Sequence, residues 1–280
     1  MRNISRIVIS TITLLSAVSC GNNTKTLLPN VSGKDGEVII VVGKDNWEGN
    51  LGNEIGSLLA RDCEYLPQRE PLYSLVNLAP GAFSDMFKLH RNIVIFNIDS
   101  TVVKQGVVYR TDVWAHPQCV IQVNASCADS AMVVLERNGE NITGAIEQAE
   151  RNRVIANTLL YEETKLGDVV ARMVGGRVHF PIGYTLKKVT DDFIWIADEK
   201  QYSTQGIFIY KYPATDRDPF SEENIIARRN AFLKEYVPGT AENSYMTTSV
   251  FVKPGIKFLK YHNLDFVETR GLWEVYNDYM

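Results

Sequence analysis

Two uninterrupted apolar runs in the first half of the chain predict strands that are buried on both faces. Residues 38–42 lie between Gly36 and Gly43, and residues 93–96 form the second run. A strand with one face in water alternates apolar and polar residues, whereas a continuous β-branched run is typical of a strand covered on both sides. Weaker patterns predict further strands at 72–78, 107–114 and 119–123.

Apolar side chains spaced three and four residues apart predict the helices of this half. Residues 51–63 place their apolar side chains on one side of a helix. Asp129 fits the N-cap of a second helix, which the pair at 138–139 (Asn-Gly) is expected to end. Residues 142–174 continue the helical pattern and predict two helices that meet near Tyr161.

The second half alternates strands with one helix. Residues 178–186 alternate apolar and polar side chains and predict an amphipathic strand, with Pro181 marking an edge or a bulge. Ser221 is a suitable N-cap for a helix over 221–236, which the Val-Pro-Gly sequence after it would end. Further strands are expected at 193–196, 207–210, 250–252, 257–260, 266–268 and 272–276.

The order helix, strand, strand, strand, helix occurs over 51–138 and again over 166–237. This order predicts an α+β protein with two similar halves, each a mainly antiparallel sheet with helices packed on one face. The expected halves are residues 37–155 and 156–280. The strand at 272–276 has no evident partner, so the second half is expected to be shortened at its C-terminus.

The first twenty residues have the order of an export signal. Arg2 and Arg6 precede an apolar stretch over 7–18, and Ala17-Val18-Ser19 places small residues before Cys20. This order predicts a signal peptide at 1–19, because the apolar stretch is too short to span a bilayer. Small residues before a cysteine resemble the lipobox of bacterial lipoproteins, in which the thiol is acylated. The alternative is an ordinary cleaved signal peptide with Cys20 an incidental thiol.

Acylated Cys20 would attach the protein to membrane lipid in the bacterial cell envelope, with palmitate or a similar chain. Residues 20–36 are rich in Asn, Thr, Ser, Gly and Lys, which predicts a lipid-anchored flexible tether. Residues 21–25 hold no acid. An acidic stretch after the cysteine is similar to the surface-export signal of Bacteroidetes lipoproteins, so its absence favours a position that faces the periplasm.

The net charge and the hydropathy of the chain exclude some classes of binding partner. The predicted leader holds two arginines and no acids, which leaves 27 basic and 33 acidic residues and a net charge of −6. Nucleic-acid-binding proteins need a basic surface to neutralise phosphates, so nucleic acid is excluded as the expected partner. No later stretch is long and apolar enough to predict a second membrane segment.

Residue types that carry metal or redox chemistry occur without a recognised spacing. The histidines are isolated from one another, and none belongs to a metalloprotease motif. No two cysteines are separated by two residues, so neither a zinc ribbon nor a thioredoxin-like pair is supported. The sequence therefore predicts no metal site and no cofactor, and it identifies no catalytic residue. The residues concerned are His90, His116, His179, His262, Cys63, Cys119 and Cys127.

The loop after the first apolar run holds the best candidate for a ligand-binding position. Trp47 follows a strand that is buried on both faces, and Lys44 and Asp45 lie beside it. Ligands of open α/β sheets collect beyond the carboxyl ends of strands. The alternative is that Trp47 belongs to the core, as many aromatic side chains do. The other aromatic candidates for a carbohydrate or peptide cleft are Trp114, Trp273, Tyr65, Tyr73, Tyr261 and Tyr276.

Parts of the sequence resemble a family of Bacteroidetes lipoproteins known as domain of unknown function 4837. The residues that carry the resemblance are Trp47 with its loop, the Asn-Ile-Asp sequence at 97–99 and the Arg-Gly-Leu-Trp sequence at 270–273. The resemblance extends over the chain after the tether. It implies no activity and no catalytic residue, because the family has no established function.

Two functions are therefore weighed for the envelope-anchored protein, besides a purely structural spacer, which would have no deep pocket and no recoverable partner. The first is a non-catalytic binding or interaction module for an unknown envelope protein or small ligand. The second is an envelope hydrolase that acts on glycan or peptide through paired carboxylates in turns. Convergence of two carboxylates in one aromatic-lined cleft would favour the hydrolase, and scattered acids would favour binding. The acidic pairs are Asp191 with Asp192, Asp198 with Glu199, and Asp216 with Asp218.

Overall fold

A computed structural model describes residues 27–215, 217–261 and 263–278. The predicted signal peptide, Cys20, Asp216 and His262 lie outside the described residues. The chain has the mixed α+β class that the sequence predicts. No helix of the described ranges has the length and apolar character needed to cross a membrane.

The first part of the chain forms a five-stranded sheet with four helices. Its strands are Glu37–Val41 (β1), Ser74–Leu78 (β2), Asn92–Ile98 (β3), Gly106–Thr111 (β4) and Cys119–Ala125 (β5). Its helices are Lys44–Trp47 (α1), Asn50–Leu59 (α2), Asp85–Lys88 (α3) and Ala128–Leu160 (α4).

The strand order of this sheet is β2-β1-β3-β5-β4. β1, β2, β3 and β5 are parallel, and only β4 runs antiparallel to its neighbour β5. The prediction of a mainly antiparallel sheet is therefore wrong for this half. The physical reason is the connection after β1, since it contains α2 and returns the chain to the same end of the sheet, as parallel pairing requires.

Both faces of the parallel strands are covered, but by different elements. α2 and α4 pack on the face that holds Ile40, Val94 and Ile121. The opposite face holds Val41 and Ile93 among its buried residues, and it is covered only by loop side chains and by the short α3. Residues 38–41 of β1 are all buried, which agrees with the prediction that this strand is covered on both faces.

Helix α4 is one continuous helix of 33 residues. The predicted stop at 138–139 is wrong, because Gly139 does not cap the helix but lies at its crossing with α2. A Cβ added to Gly139 would be 2.8 Å from Cδ1 of Leu58. Glycine at this position lets the two helices approach closely. The predicted boundary between the halves, at 155–156, also falls inside α4.

The described residues of the second part form two helices and seven strands. The helices are Thr164–Val174 (α5) and Glu222–Tyr236 (α6). The strands are Thr185–Val189 (β6), Phe193–Lys200 (β7), Ser203–Tyr210 (β8), Tyr245–Thr248 (β9), Gly255–Tyr261 (β10), Leu264–Arg270 (β11) and Trp273–Tyr276 (β12).

β6, β7 and β8 form an antiparallel sheet with β7 at its centre. α5 packs on the face with Ile194 and Ile196, whereas α6 packs on the face with Phe193. The prediction that helices pack on only one face of the sheet is therefore wrong for this sheet, because β7 is apolar on both faces. The antiparallel sheet of this part agrees with the prediction. The two halves nevertheless differ in strand direction, because the strands of the first sheet are mainly parallel.

Two details of the second part differ from the sequence pattern. The alternating segment at 178–186 is a strand only from Thr185, and Pro181 makes an isolated bridge with Glu162. Proline has no N–H to donate to a ladder, which limits pairing before Thr185. β12 pairs with β9, so the last strand has the partner that the sequence did not reveal.

The segment at 29–36 is fixed to the first sheet. Val31 N donates to His116 O at 3.1 Å, and Ser32 N donates to Leu89 O at 2.8 Å. Gly33 has a φ of 93° and lies against the ring of His90, where no larger residue would fit. The tether prediction is therefore wrong for these residues. Residues 20–26 of the predicted tether lie outside the described ranges.

Candidate functional site

The path of the chain through the first sheet creates a crevice at one sheet edge. From β1 the chain passes through α2 to β2 on one side, and from β2 it returns past β1 to β3 on the other side. The carboxyl ends of β1 and β3 are therefore a topological switch point, where open α/β sheets bind ligands. A cavity of about 530 Å³ extends from this place along the sheet face as far as Val120 and Trp114.

The floor of the crevice is apolar. Val41, Ile95 and Val120 come from three neighbouring strands and share the face that α2 and α4 leave uncovered. Trp114 forms one wall, and Phe83 holds its ring in an edge-to-face contact with centroids 5.7 Å apart. The floor and wall can accommodate the apolar part of a ligand.

A row of side-chain amides crosses the crevice at the ends of β3 and β5. Asn97 and Asn124 are paired in register, and Gln122 lies on the same face of β5. Oδ1 of Asn124 accepts hydrogen bonds from Asn97 Nδ2 at 3.0 Å and from Gln122 Nε2 at 2.9 Å. These bonds fix the amide planes, and no described donor is bonded to the side-chain oxygens of Asn97 and Gln122. The oxygens are therefore available to a ligand.

One cation and one anion complete the lining. Arg110 is exposed on β4 and has no ion-pair partner among the described carboxylates. Asp99 follows β3, and its Oδ1 accepts from Thr101 Oγ1 at 2.6 Å and from Thr101 N at 2.8 Å. These hydrogen bonds lower the pKa of Asp99, which is therefore ionised at neutral pH. The crevice combines an unpaired guanidinium, a carboxylate, amides and an aromatic wall.

The three residues that the sequence put forward as the best ligand-binding candidates, Lys44, Asp45 and Trp47, do not line this crevice. Trp47 packs on the core beneath α2 and α4, and its carbonyl group occupies the space where Gly52 would carry a Cβ. Lys44 is exposed and pairs with Glu48 at 3.6 Å, and Asp45 is also exposed. A ligand-binding role for Lys44, Asp45 and Trp47 stays a prediction. Packing accounts for the position of Trp47.

The acidic pairs of the second part do not converge. Asp192 directly precedes β7, whereas Asp198 and Glu199 lie near its other end. Six or seven extended residues separate these groups by about 20 Å or more. Asp198 pairs with Lys200 at 3.1 Å, and Glu199 pairs with Lys187 at 2.7 Å. Asp218 is described but its predicted partner Asp216 is not.

The described histidines have local structural partners. His90 is buried, with Nε2 2.7 Å from Glu37 Oε1, and this contact lowers the pKa of Glu37. His116 lies 2.9 Å from Asp112, and His179 lies 3.1 Å from Glu162. Among the described residues no group of three or more His, Cys, Asp or Glu side chains is arranged to hold a metal ion.

Some of the crevice residues have a partial signal in the sequence. Asn97 and Asp99 directly follow the apolar run at 93–96, and both belong to the sequence that carries the family resemblance. Trp114 was one of the aromatic candidates. Arg110 and Gln122 have no such signal, because only the pairing of β4 with β5 and of β5 with β3 places them on the crevice face, level with Ile93 and Ile95 of β3.

Two family models match the chain. Residues 31–159 match a domain of unknown function (DUF8532), and residues 163–280 match another domain of unknown function (DUF4837). No curated protein and no solved structure matches. The resemblance to domain of unknown function 4837 was expected over the whole chain after the tether, but the match covers only the second part. Trp47 and residues 97–99 lie within the match to DUF8532. Residues 163–280 therefore match the domain of unknown function that the Arg-Gly-Leu-Trp sequence indicated.

Proposed function

We propose that this protein is a lipid-anchored envelope protein whose first domain binds a small anionic ligand in the crevice without catalysing its conversion. The observation that carries the proposal is Arg110, an exposed guanidinium with no described ion-pair partner at a switch-point cavity. A guanidinium recognises carboxylate and phosphate groups through paired hydrogen bonds. The amide row would accept hydrogen bonds from ligand hydroxyl or N–H groups.

The composition of the lining favours an acidic sugar as the class of ligand. The aromatic wall of Trp114 can cover the apolar face of a sugar ring, while Asn97 and Gln122 offer oxygens to its hydroxyl groups. Arg110 would then pair with the acidic group. A cavity of about 530 Å³ favours binding over a purely structural spacer.

The alternative hydrolase has less support from the geometry. Glycoside hydrolysis uses two carboxyl groups about 5–9.5 Å apart. Among the described residues that line the crevice, Asp99 is the only acid. None of the described acidic pairs of the second part lines the crevice, and Asp198 and Glu199 pair with lysines.

The N-terminal segment supports an orientation for the proposed anchored protein. Ser32 bridges to His90 before the start of β3, and Asn30 bridges to His116 before the start of β5. These contacts lie at the amino ends of the parallel strands, whereas the crevice extends from Trp114 and Val120 near the start of β5 to Asp99 beyond the carboxyl end of β3. A lipid anchor at Cys20 would therefore leave the Asp99 end of the crevice directed away from the membrane.

The substitution Arg110→Gln tests the proposed ligand site. We expect the wild-type protein to bind glucuronate more tightly than glucose, since only glucuronate has the carboxylate that Arg110 would pair with. Arg110→Gln should weaken glucuronate binding at least tenfold, or about 1.4 kcal/mol. Isothermal titration calorimetry at constant salt measures both affinities.

Arg137→Gln is the matched control, because Arg137 is exposed on α4 and lines none of the cavities described. It removes the same charge and should leave glucuronate binding unchanged. Equal affinity for glucuronate and glucose, or equal loss in the two variants, would contradict a site at Arg110.

A further inference from the structure

A second, smaller cavity lies in the other part of the chain. Its volume is about 180 Å³, below the range of about 300–1,000 Å³ that is common for drug-sized ligands. The cavity is bounded by one face of α6, the end of β9 and the segment between β11 and β12. The residues that matter for its chemistry are Ile226, Arg229, Thr248, Pro254, Arg270 and Leu272.

Arg229 is held in a fixed position at this cavity. Its Nη1 donates to Thr248 Oγ1 at 2.7 Å. The Thr248 hydroxyl donates in turn to Asn230 Oδ1 at 2.9 Å, and Thr248 N donates to the same oxygen at 2.9 Å. This chain of hydrogen bonds uses one of the five N–H donors of the guanidinium. No described acceptor is bonded to the other four, and Arg229 lines the cavity.

The charge of Arg229 has no counterion among the described side chains. No described carboxylate lies within ion-pair distance of it, although the side chain is partly buried between α6 and β9. Burial lowers the pKa of Arg229, and the main opposing influence is the phenol of Tyr210 rather than an acid. A partly buried cation without a counterion is costly, so an anion from solution would stabilise it.

Arg270, the second arginine at the cavity, is already neutralised. Its Nε donates to Glu268 Oε1 at 2.6 Å. This bond and the nearby charges of Glu147 and Glu64 raise the pKa of Arg270. The unmatched charge at the cavity is therefore that of Arg229.

We infer that this cavity is a carboxylate-binding site in which Arg229 pairs with the carboxylate and Ile226, Pro254 and Leu272 contact a short apolar chain next to it. The volume fits one small acidic group and its neighbouring carbons. Two sources have this chemistry: a free short-chain organic acid, and the C-terminal residue of a peptide. The site is separate from the crevice and does not depend on the function proposed for it.

The substitution Arg229→Gln tests this site with three probes. The probes are butyrate, the peptide acetyl-Ala-Ala-Val with a free carboxylate, and the same peptide with a C-terminal amide. Titrations followed by NMR chemical shifts should show that a carboxylate probe binds and the amide does not. Binding of the peptide but not butyrate identifies a peptide terminus, and the reverse identifies a free acid. Arg229→Gln should weaken the binding at least tenfold.

Two controls separate recognition from a structural role. Arg137→Gln removes an equal charge elsewhere and should bind as the wild type does. Leu272→Phe narrows the cavity without changing the charge, and it should also weaken binding while Arg229 stays in place. A site built for an anion predicts that Arg229→Gln does not lower the melting temperature in the absence of probe. The inference is overturned if no carboxylate binds, if amide and carboxylate bind equally, or if Arg229→Gln binds normally.

Discussion

At the scale of single residues, a partly buried charge network joins α4 to the amino ends of the first sheet. Glu150 accepts from Asn92 Nδ2 at 2.7 Å and from Arg91 Nη1 at 3.1 Å, and it pairs with Arg153 at 3.1 Å. Arg153 Nη2 donates to Asn92 Oδ1 at 2.6 Å. Burial opposes ionisation of Glu150, but the hydrogen bonds from Arg153 and Asn92 and the nearby positive charges outweigh it and lower the pKa.

The lowered pKa makes a prediction about stability and pH. The native state favours ionised Glu150, so its contribution is present above the pKa of an unfolded glutamate, about 4.3, and is lost as the pH falls through the lower native pKa. Glu150→Gln should therefore cost about 1.5–3 kcal/mol at pH 7 and progressively less in acid. Urea unfolding between pH 3 and 7 measures this. Glu140→Gln, exposed on the same helix, is the control, and a pH-independent loss in Glu150→Gln would contradict the argument.

At the scale of elements, α4 contains two glycines in different environments. Gly139 faces Leu58 of α2, whereas a Cβ at Gly144 would meet nothing within 4 Å. The first glycine therefore serves helix packing, and the second only lowers helix propensity. The same substitution at the two positions should have opposite effects.

Gly139→Leu should destabilise the protein by about 1–3 kcal/mol, because the added side chain forces α4 away from α2. Gly144→Leu should raise the free energy of unfolding by about 0.5–1 kcal/mol, since leucine is the better helix former and the site is exposed. Urea titrations of both variants measure the difference. Similar effects at the two positions would mean that the crossing of the helices does not depend on Gly139.

At the scale of the whole molecule, each part of the chain has its own core. The clusters around the first sheet hold residues between 38 and 149, and the clusters around the second sheet hold residues between 166 and 246. The two family matches, 31–159 and 163–280, divide the chain at nearly the same place. The two candidate sites therefore belong to separate packing units.

The predicted anchor is also a property of the whole molecule. Cys20→Ala should move the protein from the membrane fraction to the soluble fraction, because acyl chains supply about 0.8 kcal/mol for each buried CH₂ group. Fractionation of cells followed by immunodetection measures the distribution. Cys127→Ala, which removes an exposed thiol of the body, is the control and should stay membrane-bound. Pelleting of Cys20→Ala with membranes would contradict acylation at this residue.

The sequence by itself determined the elements whose cause is local. The apolar runs at 38–42 and 93–96 identified buried strands, and Ser221 identified the start of α6, where its hydroxyl accepts from Asn224 N. Such features follow from side-chain pattern and capping chemistry within a few residues. These local features were also sufficient to predict the α+β fold class.

The tertiary structure alone decided the features that depend on residues distant in sequence. Strand direction in the first sheet follows from the crossover through α2, and the continuity of α4 past Gly139 follows from its contact with Leu58. The crevice needs β4 to place Arg110 on the same sheet face as Gln122 and Asn97, and the smaller cavity needs Arg229 to lie beside Leu272. Periodicity along one chain carries no information about such pairings, because they are fixed by packing between elements.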